Sequence, residues 1–148
     1  MNFIKLAGMK ANELRVGNLV YVGYSGTKEP ILGIIEESAR LMFEGNHYFG
    51  LLFNYADPIG NRIIELGSCE PIPLTEEWLI NFRLKRKDEE FFYLKEDDHQ
   101  ILIDVNTFDV VLDFREEGYY VTVKHDLKYV HKLQNFYFEL NDTELELQ

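Results

Sequence analysis

Apolar and polar positions alternate with a period of two along much of this chain, and turn residues break the alternation at short intervals. Phe108, Val110, Leu112 and Phe114 alternate with Asp109, Val111 and Asp113. Successive side chains on a strand point to opposite faces. The pattern therefore predicts a strand with its large apolar side chains on a core and both aspartates on the far face. Glu90–Leu94, Gln100–Val105 and Tyr119–Val123 read as neighbouring strands, with turns at Glu96-Asp97-Asp98, Asn106-Thr107 and Glu116-Glu117-Gly118. Together they predict an antiparallel meander. Asp104 falls out of phase with Ile101, Ile103 and Val105, so it too is expected to face outward.

The first half reads as shorter strands. Gly17-Asn18 leads into Leu19-Val20-Tyr21-Val22, a turn followed by β-branched and aromatic residues. Further strands are expected at Ile31–Glu36, Arg40–Phe43, His47–Phe53 and Ile63–Leu66. Loops are expected at Tyr24–Pro30 and Asn54–Gly60, and a turn at Glu44-Gly45-Asn46. Short strands with glycine-rich turns suggest a small β-barrel-like lobe, SH3-like in size.

Two segments switch to helical spacing. Pro73 holds the residue before it extended, and Thr75 then stands as an N-cap with Glu76 and Glu77 at the positive end of a helix. Leu74 and Leu79 suit a hydrophobic staple, and Trp78, Leu79 and Phe82 make an apolar stripe. This predicts a short helix from Glu76 to Phe82 or Arg83. Near the C-terminus, Leu127, Val130, Leu133, Tyr137 and Leu140 recur at three- and four-residue spacing, with Asp126 as the expected cap and Phe136 widening the stripe. Lys124, Lys128 and Lys132 recur every four residues on another face. Asn141-Asp142 ends the helix, and residues 143–148 form a candidate edge strand.

The expected fold is therefore α+β: a small N-terminal β-barrel-like (SH3-like) lobe, a short helix, an antiparallel β-meander and a C-terminal helix. The expected organisation is a β-rich lobe over residues 1–74 and a helix–meander–helix lobe over 75–148, sharing one core.

Composition narrows the class. Hydrophobic residues make up 46% of 148, enough for a core. Cys69 is the single cysteine, so an internal disulfide and a cysteine metal cage are excluded, and a reducing, cytoplasmic setting fits. The opening Met1–Gly8 has too short an apolar run for a signal peptide, and no run reaches the length needed to span a bilayer. The net charge is −11, unevenly placed: residues 88–117 carry 11 acidic and 2 basic side chains. Such a block repels phosphate backbones and attracts basic protein surfaces. It also suits a solvated surface that keeps a small protein soluble.

Candidate chemistry is sparse. His47, His99, His125 and His131 form no i, i+4 pair of the kind that two helical metal ligands need. The acidic pairs Glu36-Glu37, Glu76-Glu77, Asp97-Asp98 and Glu116-Glu117 sit mostly at turns or helix starts, where charge is solvated or favoured by the helix dipole. Gly23–Lys28 lacks phosphate-loop spacing, and Ser25, Ser38, Ser68 and Cys69 have no nucleophile-elbow context. No catalytic residue, metal, cofactor or small-molecule substrate is implied. Two basic features stand against the acidic background: Arg83, Lys85, Arg86 and Lys87 after the first helix, and the Lys124, Lys128, Lys132 series. The same lysines also suit a solvated face.

Three stretches carry a family resemblance. Glu13–Val20, Glu70–Leu79 (Glu-Pro-Ile-Pro-Leu-Thr-Glu-Glu-Trp-Leu) and Tyr129–Leu140 (Tyr-Val-His-Lys-Leu-Gln-Asn-Phe-Tyr-Phe-Glu-Leu) resemble the opening, central and closing segments of a family of small proteins from phages and prophages of Bacteroidetes bacteria. The chain departs from that family's pattern at Lys132, where glutamine is usual, and in its ending Asn141–Leu145. The family has no catalytic residues to carry over. The resemblance implies a phage-derived, non-catalytic inhibitor of a bacterial defence system, working in the cytoplasm of an infected or lysogenic cell. Within it, the expected class is an anti-CRISPR protein binding a type VI-B RNA-guided RNA nuclease or its guide-RNA complex. Asp104, Asp109 and Asp113 are the expected contact face, with Lys124, Lys128 and Lys132 as a second surface. The competing expectation is a phage accessory module that binds nucleic acid, or a nucleic-acid-processing complex, through those lysines.

Overall fold

The computed structural model describes residues 10–22, 27–31, 33–38, 47–55, 60–96, 99–114, 118–124 and 126–147. The chain divides into two compact units, Met1–Ile72 and Pro73–Gln148.

The first unit contains β1 (Leu19–Val22), β2 (Thr27–Pro30), β3 (Gly33–Ser38), β4 (His47–Tyr55), β5 (Gly60–Glu65) and β6 (Cys69–Glu70). They form two three-stranded antiparallel sheets, ordered β2-β1-β6 and β3-β4-β5. The entry to β1 is a tight turn. Gly17 takes φ 95°, a left-handed conformation that costs glycine little. The Asn18 amide donates to the Arg15 carbonyl at 3.0 Å, and the Arg15 amide donates to Asn18 Oδ1 at 2.8 Å. Asn18 is buried, so its side chain satisfies an interior donor. Gly17 and Ile31 then register the two strands: the Gly17 amide donates to the Ile31 carbonyl at 2.8 Å. Val20, Val22, Ile31 and Ile72 are buried.

Thr27–Pro30 is a strand where the sequence suggests a loop. Pro30 lacks an amide and Lys28 and Glu29 are charged, so local chemistry argues against a strand. Pairing with Leu19–Val22 decides it, at an edge position that tolerates proline. The expected strand at Arg40–Phe43 lies outside the described residues. Among the described residues the strands do not close into a barrel, and the SH3-like expectation holds only as short antiparallel strands.

The second unit runs α1 (Glu76–Asn81), β7 (Lys85–Arg86), β8 (Phe91–Lys95), β9 (Gln100–Asp104), β10 (Val110–Phe114), β11 (Tyr119–Lys124) and α2 (Val130–Asn141). The strands form one antiparallel meander ordered β11-β10-β9-β8-β7. Thr75 caps α1: its hydroxyl oxygen accepts the Trp78 amide at 3.4 Å. Trp78, Leu79 and Phe82 are buried, with the Trp78 and Phe82 rings 5.7 Å apart.

The register aligns Phe92 with Ile103 and Val110, and Leu94 with Ile101 and Leu112. Aligned residues share a face, so the period-two pattern assembles one apolar surface. Phe92, Ile101, Ile103, Val110 and Leu112 on it are buried. Leu102, on the opposite face, is buried as well.

The start of α2 differs from expectation. Asp126 does not cap it; it takes φ 61°, and the helix begins only at Val130, after Tyr129. Backbone pairing with a distant segment explains this. The Leu74 amide donates to the Lys128 carbonyl at 2.8 Å, and Pro73 bridges Tyr129. Those bonds hold residues 128–129 extended and postpone the helix. Leu127 is buried outside the helix, Val130 and Leu133 are buried within it, and Leu140 is exposed. His131 and Gln134 share the buried surface. Residues 143–147 form no strand, although Leu145 is buried.

Candidate functional site

Of the aspartates singled out from the sequence, Asp104 and Asp109 flank the β9–β10 turn, while Asp113 lies toward the other end of β10, opposite Gln100. Asp104 ends β9 and is half-buried. Its Oδ1 accepts the Asn106 amide at 2.7 Å and the Thr107 amide at 3.3 Å, a side-chain-supported turn. Phe108 follows with φ 55°, and its amide donates to the Asp104 carbonyl at 2.8 Å. Asp109, also half-buried, accepts the Asp126 amide on Oδ1 at 2.9 Å. The Leu127 amide donates to the Phe108 carbonyl at 3.0 Å. Asp104 and Asp109 thus tie two chain reversals together.

Asp113 corrects the expectation of an outward face. It is 4% exposed, and its Oδ2 lies 3.9 Å from Lys87 Nζ. Period two places it opposite Leu112 and Phe114, as expected, but that side of the sheet is covered at this point. Asp113 is a buried partner of Lys87 and not a surface contact.

The lysines also separate. Lys124 ends β11, Lys128 lies in the extended connection, and Lys132 stands in the first turn of α2. Lys128 Nζ pairs with Asp126 Oδ2 at 3.2 Å, an exposed pair. A stripe along one helix requires all three to be helical, and the late start of α2 removes that condition.

Among the described residues of the 88–117 block, the exposed carboxylates are Asp88, Glu89 and Glu90, between β7 and β8. Asp88 Oδ1 accepts the Glu90 amide at 2.8 Å and the Phe91 amide at 2.9 Å. These two bonds, aided by Lys87 and Arg86, hold its carboxyl below the ordinary value of 3.8. Arg86 Nη1 meets Glu76 Oε2 at 3.2 Å, and its guanidinium lies 5.4 Å from the Phe92 ring centre.

Two interior polar groups are also placed. The His131 ring stacks on Tyr129 at 5.8 Å, fully buried. The Tyr137 hydroxyl is hydrogen-bonded to Glu96 and Thr143; burial first, and then the Glu96 charge, push its pKa above the ordinary 10.0. Neither pairing has a local sequence signal, because the partners of Tyr137 come from a sheet turn and from beyond the helix end.

Cys69 is buried and forms no disulfide. Among the described residues no group of three or more His, Cys, Asp or Glu side chains could hold a metal ion, and no helix is long and apolar enough to cross a membrane. No protein-family model, curated protein or solved structure matches the chain.

Proposed function

We propose that this chain is a phage-derived, non-catalytic inhibitor of a bacterial defence system: an anti-CRISPR protein that binds a type VI-B RNA-guided RNA nuclease or its guide-RNA complex in the cytoplasm of the infected cell. The resemblance of Tyr129–Leu140 to the closing segment of the phage family carries the reading. The acidic block supplies contact chemistry, since a nuclease that holds guide RNA presents basic surface. The contact face is the exposed run Asp88, Glu89 and Glu90, and Asp104 and Asp109 serve as structural carboxylates of the β9–β10 turn.

The test is a purified type VI-B nuclease with its guide RNA, assayed for target RNA cleavage with and without the protein. A stoichiometric complex and loss of cleavage are expected. Glu89→Lys with Glu90→Lys is expected to slow association and relieve inhibition with the fold intact, and the difference is expected to shrink as the Debye length falls from about 10 Å at 0.1 M salt to about 3 Å at 1 M. Unchanged inhibition by the double variant would remove this face. Absence of any complex and any protection of phage in cells would remove the inhibitor reading.

A further inference from the structure

Helix α1 ends on a residue that its own backbone geometry disfavours. The Arg83 amide donates to the Ile80 carbonyl at 2.9 Å, and the Leu84 amide donates to the Leu79 carbonyl at 3.0 Å. With Phe82 as the C-cap, these two bonds make a Schellman turn. Leu79 and Leu84 are both buried, in keeping with the apolar contact that accompanies such a turn. The residue after the cap must then be left-handed, a position that suits glycine because it has no Cβ. Here that residue is Arg83, with φ 68°. The left-handed backbone costs arginine more than it would cost glycine. The guanidinium reaches the C-terminal segment: Nη2 donates to the Leu147 carbonyl at 3.5 Å, and Nη1 lies 3.7 Å from Glu146 Oε2. Residues 143–147 themselves belong to no helix or strand. Asp142, with φ 54°, turns the chain out of α2. Thr143 then hydrogen-bonds the Tyr137 hydroxyl, and Leu145 is only 7% exposed. The segment is thus fastened in succession to α2, to the interior and to the end of α1, while Thr143, Glu144, Glu146 and Leu147 stay exposed.

We infer that residues 143–147 form a strap that opens and closes on the folded protein, and that Arg83 is its latch. Its one buried side chain, Leu145, is a small anchorage beside the packed faces of α1 and the meander. Segments with few buried apolar contacts open locally, without global unfolding. The latch works as a fork. One guanidinium nitrogen holds a backbone carbonyl and the other faces the neighbouring carboxylate, so both contacts are lost together when the segment lifts. The Arg83 and Glu146 side chains are both exposed, which keeps the latch weak and its release easy. Opening bares Leu145 and takes Thr143 from the Tyr137 hydroxyl. The left-handed position makes the helix end and the latch separable: glycine at 83 favours the turn and removes the fork.

Thiol labelling of Leu145→Cys in the native chain, with an aromatic disulfide reagent, reads strap opening. Cys69 of the parent is buried and sets the background. Labelling at position 145 is expected to be about tenfold or more slower than in Leu147→Cys, an exposed control, because it waits on opening. Adding Arg83→Gly to Leu145→Cys is expected to speed labelling about threefold, the size of an exposed ion pair. The urea midpoint of Arg83→Gly is expected to hold or rise, since glycine relieves the left-handed backbone. Equal labelling at 145 and 147 without the Arg83 change would show that no closed strap exists. An unchanged rate at 145 after Arg83→Gly would remove the latch. A midpoint that falls in Arg83→Gly would make Arg83 a support of the whole fold, and this too overturns the inference.

Discussion

Lys87 Nζ stands 3.9 Å from Asp113 Oδ2, and the aspartate side chain is only 3% exposed. The pair joins the residue after β7 to the fourth strand of the same sheet. An aspartate with so little access to water depends on protein groups for its charge to be tolerated. Losing the cation removes one ionic partner of a buried carboxylate. Lys87→Met is therefore expected to destabilise the protein by about 1–3 kcal/mol, read as a lower urea midpoint. Adding Asp113→Asn to Lys87→Met is expected to recover part of that loss, because it removes the charge and keeps a polar group.

Leu133 and Leu140 occupy the same predicted stripe but differ in burial. Leu133 is buried in α2, and Leu140 is exposed near its end. Leu133→Ala is expected to cost about 2–5 kcal/mol, while Leu140→Ala stays within about 1 kcal/mol. Chemical denaturation of the two variants side by side separates them. Equal losses would place Leu140 in the core.

The cap of α1 is a long bond, 3.4 Å from the Trp78 amide to Thr75 Oγ1. Thr75→Ala is expected to destabilise at the low end of the capping range, about 0.5–1 kcal/mol. Trp78 is the only tryptophan and is buried, so its fluorescence reports the unfolding directly. Thr75→Ser retains the acceptor and is expected to lose less.

Tyr137 links stability to alkaline pH. Its folded pKa is raised by burial and then by Glu96, so the fold favours the protonated phenol. The linked stability is fully present below the ordinary value of 10.0 and is lost as pH rises through the folded pKa, because the unfolded chain releases the proton first. Thermal melts from neutral pH upward are expected to fall more steeply above about pH 10 in the parent than in Tyr137→Phe. Parallel curves would show that the Tyr137 phenol contributes no such linkage.

Local pattern alone determined several elements. Thr75, Glu76 and Glu77 mark the start of α1 because an N-cap and first-turn carboxylates answer to backbone groups within one turn. Strands β8 to β11 follow from period two and from intervening turn residues, since a strand's faces are set by its own pleat. The block of charge over 88–117 is likewise a property of sequence. Other features depend on groups far apart in the chain, and no local rule reaches them. Thr27–Pro30 becomes a strand only because Leu19–Val22 lies beside it, and Lys85-Arg86 only because Phe92-Tyr93 does. The backbone at Lys128 and Tyr129 is held extended by Leu74 and Pro73, which moves the start of α2 past Asp126 and scatters the three lysines. Period two states which side of β10 carries Asp113, but burial there depends on what covers that side, and Lys87 reaches it from the connection after β7. Pattern therefore decides direction along each element, while burial and pairing arise only when distant segments exclude water and satisfy one another's hydrogen bonds.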